Sequence, residues 1–245
     1  MHDSDTSVQT TLRIPGNWAH PGELIERMPT GFRITPEALF LPDGTEIELI
    51  PMPPDERFAE VFESSCRRPA TTDELARVRN YTVNIALCGP GGSLTATEKM
   101  MQAGAAIIQA GGAGVFIDNS GMSHGGSDWI EMTEDATSDA VSFAFVSIIQ
   151  GQHEVWTMGM HVLGYPEFVM RRSDADAHQD ALIDVVRYVC RGDKPIGDGH
   201  LLADELSLRF QAVATPNEKF SPGMPMYNPF GRLKLVSIRD VGEAN

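Results

Sequence analysis

The sequence predicts an α/β protein of the α+β kind: a two-layer sandwich in which helices pack on one face of a mixed, largely antiparallel sheet. Three observations predict this fold class. Residues 81–88 are rich in β-forming side chains, residues 95–110 carry apolar side chains at helical spacing, and residues 114–118 form a short apolar run preceded by glycines. This strand–helix–strand unit is the clearest pattern in the chain, and the later segments extend it.

The helix of this unit is expected to begin at a capping box. Thr95 and Glu98 are three residues apart, a spacing at which each side chain satisfies a backbone amide at the helix N-terminus. An apolar stripe runs from Met100 to Ile108, and a pair of glycines at 111–112 ends the pattern.

The segments after this unit predict further strands and one more helix. Residues 141–149 and 154–162 are expected to form an antiparallel pair around a turn at Gly151. Residues 174–191 form an amphipathic pattern with apolar residues on one face and aspartates on the other. The remaining predicted strands are residues 167–170, 206–213 and 233–238.

The first 80 residues are predicted to form an N-terminal α/β extension to a main domain at 81–245. A strand at 8–14 precedes a hairpin whose Pro-Asp-Gly turn lies at 42–44, and two short helices follow. Whether this part is a separate domain or extends the same sheet stays open at this stage. No linker or low-complexity tract divides the chain, which favours packing of the two parts together.

Charge and composition exclude several classes of function. The chain has 245 residues, of which 34 are acidic and 19 basic, giving a formal charge of -15. A negative field repels phosphate backbones and anionic lipid, so we expect neither nucleic acid nor a membrane as partner. The hydrophobic fraction of 42% is typical of a globular protein rather than a disordered one.

The compartment predicted by the sequence is the cytoplasm. The first eleven residues lack an apolar segment of the secretory type, and no apolar run reaches the roughly 18 to 20 residues of a spanning helix. Cys66, Cys88 and Cys190 are far apart and odd in number, which indicates reduced thiols rather than a disulfide framework or a zinc site.

An ordered set of short motifs resembles a bacterial domain-of-unknown-function family, DUF 4261. The resemblance is strongest over residues 81–210 and implies a fold and a set of marked loops rather than a reaction. The motifs are Gly89-Pro90-Gly91-Gly92-Ser93, Ser123-His124 with Trp129, Gly159-Met160-His161-Val162-Leu163-Gly164 with Pro166-Glu167, and Asp198-Gly199-His200.

The first candidate binding residues are Gly91, Gly92 and Ser93. A strand that leads through glycines into a helix N-terminus directs backbone amides at an anion, so a phosphate or carboxylate site is one interpretation. The segment lacks the lysine of a P-loop, and a plain strand-to-helix turn is the alternative. The helix terminus is also a candidate activator of the Cys88 thiol, against a buried, inert cysteine.

The second group of candidates is His124, His161 and His200, with Asp198 beside the last of them. Imidazoles on separate elements can converge on a metal ion or act as an acid–base pair. No HxH or HExxH spacing is present, so we expect no metal or other cofactor. A hydrogen-bonded core histidine is the alternative for His161, which lies in an apolar stretch.

These observations leave three hypotheses of function. The leading one is a non-enzymatic module that binds a protein or a small ligand, with an immunity-like role towards a basic partner as one form. The alternative is a hydrolase or transferase whose His/Asp site is formed by loops 119–128, 159–164 and 196–200. The third is a structural subunit that pairs through sheet edges in a homo-oligomer.

Overall fold

Two β-sheets and a set of helices make up the protein in the computed structural model, which describes residues 8–177, 180–192, 195–203, 209–216 and 219–238. The strands of the first sheet are β1 (Gln9–Gly16), β2 (Arg33–Ile34), β3 (Ala38–Phe40), β4 (Glu46–Met52), β5 (Val83–Pro90), β6 (Gly114–Ile117) and β7 (Met122–Gly125). Those of the second are β8 (Ser147–Gln150), β9 (Glu154–Met158), β10 (Glu167–Arg171), β11 (Leu201–Ala203), β12 (Arg209–Thr215) and β13 (Arg232–Ser237).

The helices lie between groups of these strands along the chain. They are α1 (Pro21–Glu26), α2 (Phe58–Ser64), α3 (Thr72–Arg79), α4 (Leu94–Gln109), α5 (Gly126–Asp135), α6 (Ser138–Phe145), α7 (Arg172–Ala177) and α8 (Ala181–Cys190), with a 3-10 helix at Met160–Leu163. No helix in the described part of the chain is both long and apolar enough to cross a bilayer.

The strand order shows how the N-terminal third of the chain is incorporated into the first sheet. The first sheet has the order β2-β3-β4-β5-β1-β6-β7, so β1 lies between β5 and β6 and pairs antiparallel with both. The second sheet has the order β11-β12-β13-β10-β9-β8, with the β10–β13 pair parallel and the others antiparallel. Strands from residues 9–52 and 83–125 therefore share one sheet.

Most of the apolar core is continuous between the two sheets. It includes Leu12 of β1, Ile107 of α4 and Phe168 of β10, all fully buried. A smaller cluster contains Phe62 of α2 and contacts Phe116 of β6. Because successive side chains of a strand face opposite sides, this cluster lies on the face of the first sheet that α4 does not cover.

The predicted α+β fold class with mostly antiparallel strands is confirmed, and the arrangement adds two features. The strands divide between two sheets instead of forming one, and α2 and α3 bury part of the second face of the first sheet. Burial of Phe58 and Phe62 of α2 with Phe116 of β6 supplies the apolar area that holds α2 there, and α3 contributes Val78 to the same cluster.

The start of α4 differs from the prediction. The N-cap is Ser93, whose Oγ accepts the Ala96 N–H at 3.1 Å, and the helix begins before the predicted box at Thr95. Thr97 donates its hydroxyl to the carbonyls of Ser93 and Val162 instead. A reciprocal capping box does occur at α3, where Thr71 and Glu74 satisfy each other's backbone amides.

Residues 138–145 are helical, so the strand predicted at 141–149 is wrong except for its end, β8. The helix is α6, and Thr137 caps it by accepting the Ala140 N–H at 3.2 Å. A continuous apolar run fits a buried helix and a buried strand equally well, so periodicity could not separate them. The predicted partner strand ends at Met158, because Gly159 takes a φ of 107° and turns the chain into the 3-10 helix.

The second amphipathic helix is present as α7 and α8, while residues 178 and 179 lie outside the described residues. In α8 the predicted inward positions Leu182, Val186 and Val189 are buried. The predicted strand at 206–213 corresponds to β12 from residue 209 onward, and residues 206–208 lie outside the described part.

Candidate functional site

The glycine-rich turn before α4 has internal partners for the amides that would bind an anion. Gly91 donates its N–H to the Val8 carbonyl at 2.9 Å, and Gly92 donates to the Val162 carbonyl at 2.8 Å. Ser93 Oγ is the N-cap acceptor of α4. The turn therefore joins the N-terminal strand, the 3-10 helix and α4, and its hydrogen bonds are those of a structural junction.

The Cys88 thiol beside this turn lies on β5, six residues before α4 begins. Its partial burial raises the pKa of the thiol, and the carboxylates of Glu48 and Asp118 act in the same direction. A raised pKa disfavours the thiolate, so the environment of Cys88 is not that of an activated nucleophile.

His161 belongs to a buried polar network. Its Nε2 lies 2.9 Å from the Pro225 carbonyl and 3.1 Å from Asn119 Nδ2, and its Nδ1 lies 3.5 Å from Glu167 Oε1. Asn119 also accepts the Thr11 N–H and donates to the Gln9 carbonyl. The network thereby ties the segment around Pro225 to the first sheet.

Glu167, a residue that the sequence analysis did not select as a candidate, anchors this network. It is 6% exposed, and its Oε1 accepts hydrogen bonds from the backbone amides of Gly159 and Met160 and from Asn228 Nδ2, at 3.0–3.2 Å. Its Oε2 accepts the Thr157 hydroxyl at 2.7 Å. In the sequence Glu167 appeared as part of the Pro166-Glu167 motif and as an acid at the start of an apolar strand, and neither feature separates a buried position from an exposed one.

A cavity of about 230 Å³ lies beside His161. Asn119, Thr11 and Tyr227 contribute polar atoms to its wall, and the proline-rich segment 222–229 forms much of the rest. In this arrangement His161 Nε2 is hydrogen-bonded to the Pro225 carbonyl, so the imidazole connects the 3-10 helix to the segment around Pro225 and is not free to act as a base.

His124 lies in a different environment, on β7. It is fully buried, with Nε2 at 2.9 Å from the Ala144 carbonyl and Nδ1 at 3.3 Å from Asp128 Oδ2. Asp128 Oδ1 in turn accepts a hydrogen bond from Arg68 at 2.6 Å. The His124 contact, followed by that of Arg68, lowers the pKa of the Asp128 carboxyl.

Asp198 and His200 lie in an exposed turn beside β12 of the second sheet. Asp198 Oδ1 accepts the Ala214 N–H at 2.8 Å, and His200 Nδ1 accepts the Gly197 N–H at 3.2 Å. Of the predicted loops, the structure joins 119–128 to 159–164 through Asn119 and His161, while 196–200 makes its hydrogen bonds elsewhere. Among the residues that the structure describes, no three His, Cys, Asp or Glu side chains are grouped to hold a metal ion.

A larger cleft of about 400 Å³ opens between the start of β8, the helices α5, α6 and α8, and the segment at residues 67–68. Three arginines line it: Arg67, Arg68 and Arg187. We call it the arginine cleft. The sequence analysis did not find it, because its walls come from several elements that are brought together only in the folded chain.

Arg67 is held firmly in this cleft. Its Nη1 donates to the Phe143 carbonyl at 3.0 Å and to the Val146 carbonyl at 2.6 Å, and the guanidinium lies 4.1 Å above the Phe143 ring. Burial, then the charges of Arg68 and Arg187, lower the pKa of Arg67. Across the described ranges, no carboxylate forms an ion pair with it.

Some of the other charged residues around the cleft are paired, whereas Glu131 and Asp135 have no ion-pair partner in the described chain. Arg68 pairs with Asp128 at 2.6 Å, and Asp139 pairs with Arg191 at 2.7 Å. Arg187 is exposed and lies 3.8 Å from Asp184. Two further acids, Glu131 and Asp135, line the rim from α5. Arg67 is thus the half-buried cation of the cleft that lacks a carboxylate within the described chain.

Comparisons of the chain with protein-family models, with curated protein sequences and with solved structures find no match. The resemblance to the DUF 4261 family stays a prediction.

Proposed function

We propose that this protein is a cytoplasmic, non-enzymatic binding module that holds an anionic group of its ligand at Arg67 in the arginine cleft. The observation that carries the proposal is a half-buried guanidinium with two backbone carbonyls and an aromatic ring around it, but no carboxylate. Three free cysteines are consistent with a reducing compartment.

The physical argument concerns the charge of Arg67. Removing a cation from water costs free energy unless an opposite charge compensates it, and backbone carbonyls compensate only in part. Because the hydrogen bonds of Arg67 within the described chain, to two carbonyls and to the Met122 sulfur, all leave from Nη1, the Nε and Nη2 donors remain for a ligand. A planar guanidinium offers such donors in a fork that fits a carboxylate or a phosphate.

The cleft supports binding better than it supports a reaction. A hydrolase or transferase needs a nucleophile or base within hydrogen-bond reach of an activating partner. Ser142, the cleft's hydroxyl, donates to the Asp139 carbonyl in its own helix at 3.0 Å. The four residues of the alternative hypothesis, His124, His161, Asp198 and His200, have separate hydrogen-bond partners.

The test is thermal unfolding of the full chain in sodium phosphate, against sodium chloride of equal ionic strength. We expect phosphate to raise the Tm of the wild-type protein, since a ligand that binds only the folded state stabilises it by mass action. Arg67→Met removes the fork and keeps the apolar stem, so it should abolish this increment. Arg33→Met is the matched control, because Arg33 also stacks on an aromatic ring, at 3.7 Å from the Phe40 centroid, but in the first sheet.

The control separates a specific site from a general salt effect. Arg33→Met should keep the phosphate increment of the wild-type protein. An equal increment in Arg67→Met would show that phosphate acts by exclusion from the surface, and the proposal would then be wrong.

A further inference from the structure

The strand β8 has a free edge. Among the residues that the structure describes, it is the last strand of the second sheet and pairs with β9 alone. The Gly151 N–H donates to the Glu154 carbonyl at 2.9 Å, which fixes which pairs of the hairpin exchange hydrogen bonds. Because hydrogen-bonded and non-hydrogen-bonded pairs alternate, Ile149 and Ser147 bond to β9. The N–H and C=O groups of Ile148 and Gln150 therefore point away from the sheet.

The free edge lies against the arginine cleft. The carbonyl of Val146, immediately before β8, accepts a hydrogen bond from Arg67, and Ile148 lines the arginine cleft. A second cavity of about 320 Å³ is lined by Ser65, by residues 147–149 of β8 and by Arg67, and Arg67 and Ile148 line both this cavity and the arginine cleft. Backbone donors, backbone acceptors and an uncompensated cation thus lie along one opening.

The opposite wall of this opening is already paired. Cys66 bridges Ser123 of β7 in parallel, with the Ser123 N–H bonded to the Ser65 carbonyl and the Arg67 N–H to the Ser123 carbonyl. Residues 65–67 therefore cover the β7 edge of the first sheet. The β8 edge has no such cover in the described chain, although free edges are usually blocked, twisted or paired.

We infer that β8 binds an extended acidic segment of a partner protein as an added strand, with a carboxylate side chain of that segment on Arg67. The inference rests on the proposed function, since it names the ligand of the same cleft. Main-chain hydrogen bonds to Ile148 and Gln150 supply affinity, and Arg67 selects for the acid.

Charge complementarity is what selects an acidic segment. The chain as a whole carries a formal charge of -15, which repels acidic peptides at long range. The arginine cleft carries acids as well as arginines, but the cavity of about 320 Å³ along β8 has Arg67 as its one charged lining residue among those the structure describes. Salt screens the long-range repulsion more than a short, half-buried contact, so moderate salt should not abolish binding.

The experiment measures fluorescence anisotropy of a labelled peptide, acetyl-VEVEV-amide, titrated with the full chain. Its matched probes are VKVKV, which reverses the charge, and VEVEV with N-methyl groups at alternate residues, which removes peptide donors and leaves the protein untouched. We expect saturable binding of VEVEV, and about tenfold or greater loss with either probe, because one charge-assisted hydrogen bond to Arg67, or two backbone hydrogen bonds to the β8 edge, are worth about that factor.

Two protein variants complete the test. Arg67→Met should weaken VEVEV binding about tenfold or more, and Arg33→Met should leave it unchanged. Ile148→Pro removes an outward N–H at an edge position where proline is tolerated, and it should also weaken binding. Far-UV circular dichroism identifies any variant that fails to fold, and in that event the N-methylated peptide decides.

The outcomes distinguish this inference from the proposed function. If Arg67→Met weakens VEVEV binding but N-methylation of the peptide does not, the anion site stands and strand addition is wrong. If VKVKV binds as tightly as VEVEV, the choice of an acidic segment is wrong. If VEVEV fails to bind while phosphate still stabilises the wild-type protein through Arg67, the inference of an acidic peptide as ligand is wrong, and the proposed anion site at Arg67 stands.

Discussion

Glu167 and Arg67 are two charged side chains removed from water, and their surroundings differ. Glu167 is almost fully buried and accepts hydrogen bonds from two backbone amides, an asparagine and a threonine, with His161 beside it. Arg67 is half-buried and has two carbonyls and a ring. The first network is complete within the protein, whereas the second lacks an opposite charge. A complete network holds a fold together, and an incomplete one beside a cavity is suited to a ligand.

Two of the three histidine candidates, His161 and His124, belong to the complete kind. His161 connects Glu167 to the segment around Pro225, and His124 connects α6 to Asp128. Histidine chemistry drew attention to them in the sequence, but their nitrogens are engaged by the protein itself. The residue without a full set of partners, Arg67, had no comparable sequence signal.

Replacement of the buried carboxylate should produce the largest effect and tests the first half of this comparison. Glu167→Ala leaves the amides of Gly159 and Met160 and the Thr157 hydroxyl without their acceptor, so we expect a loss of about 3–5 kcal/mol in the free energy of unfolding. Urea denaturation at neutral pH measures it. Glu46→Ala is the control, because Glu46 is an exposed strand glutamate and should change stability by less than about 0.5 kcal/mol. A cost below about 1 kcal/mol for Glu167→Ala would contradict the view that this network holds the fold.

Replacement of Arg67 should cost much less stability, which tests the second half. Arg67→Met loses two hydrogen bonds but also removes an uncompensated charge, so we expect a net cost of about 1 kcal/mol. The instructive control is Arg13→Met. Arg13 donates to both oxygens of Asp118, and this hydrogen bond raises the pKa of Arg13. Without Arg13, the partly buried carboxylate of Asp118 loses the cation that compensates its charge. That variant should cost about 3 kcal/mol. If Arg67→Met proved the more damaging of the two in urea denaturation, Arg67 would be a structural residue.

The fold was predictable where local patterns and tertiary packing agree. The strand–helix–strand unit at 83–117 and the hairpin at Pro42-Asp43-Gly44 are both present, because hydrophobic spacing and turn residues determine them locally. The helix α6 was missed because its apolar run has no clear period, although Thr137 at the N-cap and Asp139 in the first turn are local start signals. The division into two sheets depends on pairings between distant residues, such as β1 with β5, that no local pattern encodes.

The candidate site was not predictable, and two arginine pairs explain why. Residues 67–68 and 171–172 are both Arg-Arg in the sequence. Arg171 and Arg172 form ion pairs with Asp174 and Asp176 one turn away, whereas Arg67 reaches the carbonyls of Phe143 and Val146. The acidic partners of Arg171 and Arg172 are close in the sequence and can be predicted from it. The contacts of Arg67 exist only after α6 and β8 are in place.

The smallest expected effect concerns acid stability at the border between the two kinds of site, where Asp128 joins His124 to Arg68. The pKa of Asp128 is lowered in the folded protein, first by the His124 hydrogen bond and then by Arg68, relative to about 3.9 in the unfolded chain. A lowered folded pKa gives stability that is present above the unfolded value and is lost as the pH falls through the folded value. Between about pH 5 and pH 2, the wild-type protein should therefore lose stability more steeply than Asp128→Asn, by less than about 1 kcal/mol because solvent screens the site.

Urea denaturation at a series of pH values measures both slopes, and Arg68→Met should fall between them, since it removes only the second contribution. Identical acid slopes for the wild-type protein and Asp128→Asn would mean that the His124–Asp128–Arg68 contacts contribute nothing to stability and do not hold this side of the cleft in place.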